Sequence, residues 1–68
     1  MAAIYTELAW TSEGDRGSRY QYVSKRKAMK AAAGDARTLR AKRVAPHSAD
    51  EVARWSGVNG GGVVVYRD

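Results

Sequence analysis

Lys25, Arg26 and Lys27 stand directly after a serine in the stretch YVSKRKAMKAAAG, residues 22–34. Ser24 is a capping residue type and Gly34 a stop, so the spacing predicts a helix over 25–33. The three cations then occupy its first turn, where the macrodipole favours anions. Each misplaced charge costs a few tenths of a kcal/mol, up to about 1. Unpaired backbone N–H groups, the Ser24 hydroxyl and these cations are the parts of an anion site, fit for a phosphate or a carboxylate. The competing reading is a solvated charged face, with salt screening removing most of the cost.

Other cations extend the same chemistry. Lys30 lies one turn on, and Arg40 and Lys42 follow the helix; Arg16 and Arg19 flank a polar loop upstream. Lys25, Arg26, Lys27, Lys30, Arg40 and Lys42 are the first candidates for phosphate contacts, and Arg16 and Arg19 the second. Tyr20 and Tyr22 share one face of a strand beside Arg19, where aromatic rings can stack on unpaired bases. In a chain without phenylalanine, the core is the favoured place for at least one of them. Trp10 and Trp55 are expected in the core, a partly exposed one being an anchor for a protein partner.

Catalytic and metal chemistry finds less support. His47, Ser48 and Asp50 are triad residue types, but they crowd four positions, whereas a triad converges from separate elements. One histidine and no cysteine give neither a zinc site nor a disulfide. Asp50 and Glu51 are adjacent and cannot face each other on a helix. The NGGG run lacks the lysine and following helix of a phosphate loop. We therefore expect no enzyme, no metal and no cofactor.

Charge distribution points the same way. The 68 residues carry a net charge of +5. Residues 16–43 carry +9, the segment before them −3 and the segment after them −1. Such asymmetry suits a polyanion or an acidic protein surface. No segment approaches the roughly 20 apolar residues that span a bilayer. MAAIYTELAW lacks a basic flank and its apolar run is broken by Thr6 and Glu7, so no secretory signal is expected. A soluble protein of the bacterial or infected-host cytoplasm follows, as monomer or homodimer.

These residues need elements to hold them. Residues 2–10 alternate as a half-buried strand, Ile4, Leu8 and Trp10 opposite Tyr5 and Glu7. Residues 11–18 read as a hairpin loop and 19–23 as a second strand. Ala28, Met29 and Ala32 stripe the helix. Arg37–Ala45 reads as a third strand, with Leu39, Ala41 and Arg43 on one face and Arg40, Lys42 and Val44 on the other; Pro46 ends it. In HSADEVARWSG, 47–57, Ser48 and Glu51 match a capping box and predict a short second helix. Residues 58–62 form a turn and VVVYR, 63–67, a central strand. The expectation is a single α+β domain over 1–68: an antiparallel sheet of about four strands, one basic helix and one short helix, ordered β-β-α-β-α-β.

The serine-capped basic helix in YVSKRKAMKAAAG, with strands on either side, resembles small phage-encoded anti-CRISPR proteins of type I systems. The resemblance is one of architecture over most of the chain and transfers no site residue. It implies a protein that binds a CRISPR surveillance complex. The sequence thus yields two functions: a non-enzymatic module whose cationic region 16–43 engages nucleic acid phosphates, or an inhibitor or adaptor docking that region on an acidic protein surface.

Overall fold

Alternating side chains build most of this molecule. The computed structural model describes residues 3–11, 17–57 and 60–68, with Ser18 through its backbone alone. The order is β1 (Tyr5–Trp10), β2 (Ser18–Tyr22), α1 (Lys25–Thr38), β3 (Ala41–Val44), β4 (Glu51–Gly57) and β5 (Gly62–Arg67). The strands form one sheet in the order β2-β1-β5-β4-β3, and every neighbouring pair is antiparallel. The α+β class and the antiparallel sheet hold, but with five described strands and one described helix. VVVYR takes the central position expected of an unbroken apolar run.

α1 lies on one face of the sheet. Ala28, Ala32 and Ala36 recur every four residues and are buried. They pack with Ala53, Trp55, Val63 and Val65, and with Tyr5, Ala9, Tyr22, Met29, Leu39, Ala41 and Val52 at the margins. Alanine brings little apolar area, but it lets the helix backbone approach the sheet closely.

Three expectations need correction. The helix does not stop at Gly34 but runs to Thr38. Burial of Ala36 extends the alanine stripe by a turn, against a cost of about 1 kcal/mol for a glycine inside a helix. The stop is Leu39, whose N–H reaches Asp35 O at 3.0 Å, followed by Arg40 in the left-handed region at φ 54. Residues 37–40 therefore belong to the helix end and turn, and the third strand begins only at Ala41.

The second helix is absent, and Glu51–Gly57 is β4. Ser48 and Glu51 do interact, through the Glu51 N–H and the Ser48 carbonyl at 3.2 Å, but they close a turn. The Glu51 carboxylate accepts the His47 N–H at 3.0 Å. Beyond a bulge at Val52, Ala53 and Trp55 point to the core while Arg54 and Ser56 point away. A helix here would leave the backbone groups of β3 and of one edge of β5 unpaired, and buried backbone demands partners.

The third correction concerns β1. The face packed under α1 carries Tyr5, Glu7 and Ala9; Leu8 and Trp10 lie on the other. Glu7 is 1% exposed and neither of its carboxylate oxygens has a hydrogen-bond partner. The expected loop of residues 11–18 falls mostly on 12–16, outside the described residues, though β1 and β2 pair as a hairpin would. Around the glycine turn the Gly57 N–H reaches Gly61 O at 2.6 Å, with 58–59 outside the described residues.

Candidate nucleic-acid interface

Ser24 caps α1 in extended conformation at φ −123, and its hydroxyl accepts the Lys27 N–H at 3.3 Å. The Ala28 N–H completes the first turn on Ser24 O at 3.0 Å. The amides of Lys25 and Arg26 precede any helical acceptor and are left for solvent or a ligand. No acid stands in the first turn. Lys25, Arg26, Lys27 and Lys30 are all exposed. Among the described residues the single ion pair is Arg54–Glu51, so none of these four has an acidic partner there. Val23, 74% exposed, lies just before this helix start, and Tyr20, 57% exposed, stands on β2 opposite Glu7.

The remaining candidates disperse. Arg40 sits at the far end of α1, about 20 Å from the first turn for a helix of this length. Arg19 and Lys42 lie on the sheet face away from α1, on opposite edge strands. Four strand spacings separate those edges, about 19 Å. Arg43 turns to the helix side, its guanidinium 5.1 Å from the Trp55 ring centroid. Arg16 lies outside the described residues. The cations of 16–43 are therefore not one patch but a helix group and a second group across the sheet.

Tyr20 and Tyr22 both face the side of α1. Tyr22 is half-buried against the core, and burial, then the charges of Glu7 and Asp35 and the nearby Tyr20, push its hydroxyl above the ordinary tyrosine range. Tyr20 is the ring open to a ligand.

The strongest departure in charge chemistry is Glu7. Burial first, then Asp35 facing it from α1, raise it from 4.5 to about 8. A neutral carboxyl can lend its proton to Asp35, whereas the ionised form meets no donor. This acid sits under the helix, closed to any substrate. Glu51 moves the other way, lowered to about 2, chiefly by its hydrogen bonds from Arg54 at 2.8 and 3.0 Å and from the His47 N–H.

Two features escape a reading of the sequence. One is a cleft of about 480 Å³ lined by Ser48, Asp50, Glu51, Tyr66, Arg67 and Asp68. Its aspartates disfavour phosphate, and it meets the open sheet face only at the Tyr66 end. The other is the open sheet face, which carries Trp10, Tyr66 and Arg54 on β1, β5 and β4. Trp10 was expected in the core; it is half-buried on this face, while Trp55 is 7% exposed beneath α1. Among the described residues no group of three or more metal-ligating side chains occurs, and no helix is long and apolar enough to cross a membrane. No family model, curated protein or solved structure matches the chain.

Proposed function

We propose that the protein is a non-enzymatic nucleic-acid-binding module whose primary phosphate contacts are Lys25, Arg26, Lys27 and Lys30. One observation carries this reading: four exposed cations share the opening turns of a helix without an acid among them or a described acidic partner. The dipole opposes that arrangement in the free protein, and a bound phosphate reverses the sign of the interaction. The amides of Lys25 and Arg26 add donors that need no side-chain ordering. Phosphate contacts of this kind position a ligand without reading its sequence.

Titration into labelled duplex DNA and single-stranded RNA at low and physiological salt tests it. The log–log salt slope should be about −0.9 for each duplex phosphate neutralised. The Lys25→Ala/Arg26→Ala/Lys27→Ala variant, its fold verified by circular dichroism, should lose most of the affinity and flatten the slope. Unchanged binding by that folded variant overturns the assignment.

Exposed Tyr20 on β2 and exposed Val23 just before the helix favour a second reading, docking on an acidic protein surface of a nucleic-acid-handling complex. An aromatic anchor would then dominate: Tyr20→Ala would cost more than the triple alanine variant, and salt would matter little.

A further inference from the structure

The sheet face away from α1 has no described element over it, yet Val64 at its centre is only 2% exposed. Its strand neighbours Leu8 and Arg54 close over it. Register sets Thr6, Leu8 and Trp10 of β1 beside Tyr66, Val64 and Gly62 of β5. Arg19 of β2 borders this strip on one side, and Arg54 of β4 and Lys42 of β3 on the other.

Trp10 is fixed in a particular pose. A Cβ on Gly62 would stand 2.7 Å from Trp10 Cζ2 and 3.2 Å from Cε2, so the indole lies down over the glycine backbone. Its Nε1–H donates to Gly60 O at 3.3 Å. The ring's one donor is thereby used, and what remains to a ligand is an aromatic surface. The Arg54 guanidinium lies 5.8 Å from the ring centroid, held by both oxygens of Glu51. Of the carboxylates near Tyr66, Glu51 is neutralised by Arg54, and Asp68 accepts the Thr6 hydroxyl at 2.6 Å but keeps its charge.

We propose that the open sheet face is a stacking platform for unpaired bases of a single-stranded nucleic acid, with Trp10 and Tyr66 as stacking surfaces and Arg19, Arg54 and Lys42 as the cations along its path. Cations on both flanks of an aromatic strip match a polyanion that crosses it, which an apolar protein partner would not require. A ring already immobilised loses little further freedom on binding. Trp10 and Tyr66 are one strand and four residues apart, about 14 Å. Stacked bases of a duplex strand are spaced roughly 3.4 Å, so the two rings take bases of an extended strand. Recognition by ring faces tolerates any base, so little sequence preference is expected. The platform lies across the sheet from the helix cations and stands or falls separately from them.

The test is ultraviolet crosslinking of the intact protein to short oligouridylate and oligothymidylate, with peptide mapping, beside equilibrium binding to the single strands and to a duplex of equal length. Crosslinks at Trp10 or Tyr66 are expected, with tryptophan fluorescence quenched on binding and the duplex bound at least about tenfold more weakly. An Arg19→Ala/Lys42→Ala variant, which alters only exposed side chains, should weaken single-strand binding by about tenfold. Crosslinks confined to α1, or a duplex bound as tightly as the single strand, overturn the platform while leaving the helix reading intact. Absence of binding to every probe overturns both.

Discussion

Glu7 is the largest of the fully buried side chains, and it sits between Tyr20 and Val65 with Asp35 facing it from the helix. Valine at β5 offers it nothing to bond, and the β2 neighbours Tyr20 and Tyr22 do not reach its oxygens. Below pH 4.5 the carboxyl is protonated whether the chain is folded or not. Between 4.5 and about 8 only the folded chain retains the proton. Unfolding then releases it, so stability falls as pH rises through that window. Above about 8 the loss is complete. Glu7→Gln keeps the shape and cannot ionise. Its urea-denaturation midpoint should vary far less over this window and exceed the parent's at pH 9. Parallel pH profiles for parent and variant would show that Glu7 does not govern the fall.

α1 illustrates how small residues set geometry. Its fully buried residues are all alanine, with Met29 at the margin, so three methyl groups set the distance from helix to sheet. Ala32→Leu should cost about 1–3 kcal/mol by forcing that distance open. Gly34 is exposed inside the helix with nothing within 4 Å of where a Cβ would stand. Gly34→Ala should therefore add roughly 0.5–1 kcal/mol, read as a shift of the urea midpoint at constant m-value. The helix start was legible in the sequence because a serine before a polar-apolar repeat has one common meaning. The stop was not, since Gly34 mimics a terminator until burial of Ala36 is known. β4 was misread for a related reason. Val52 and Trp55 satisfy a helical spacing, Ala53 and Trp55 a strand spacing, and only pairing with β3 and β5 decides between them. Likewise the alternation in β1 marks two faces without saying which is buried; Leu8 and Trp10 argue for one, and the sheet buries the other. The candidate site was legible in its cations but not in their grouping, because Arg40, Lys42 and Arg19 are sent apart by a turn and two edge strands.

Charge organises the whole molecule. A chain of net charge +5 has one ion pair among its described residues, and most of its cations face water alone. Their mutual repulsion disfavours the compact state, and salt should relieve it. Thermal melts at increasing sodium chloride are expected to show a rising midpoint; a falling one would mean that attractive pairs dominate instead.

The strand order carries a consequence for biosynthesis. β1 and β2 form one hairpin, β3 and β4 another, and β5 alone joins them, pairing with the first strand on one side and the fourth on the other. Until β5 leaves the ribosome, the nascent chain holds two ribbons with open edges and a helix whose alanine stripe lacks Val63 and Val65 to rest on. Isolated two-stranded ribbons are marginal in water. Pairing of β5 with both hairpins and burial of the alanine stripe on Val63 and Val65 should therefore occur together, so the described elements are expected to form in one cooperative step rather than hairpin by hairpin.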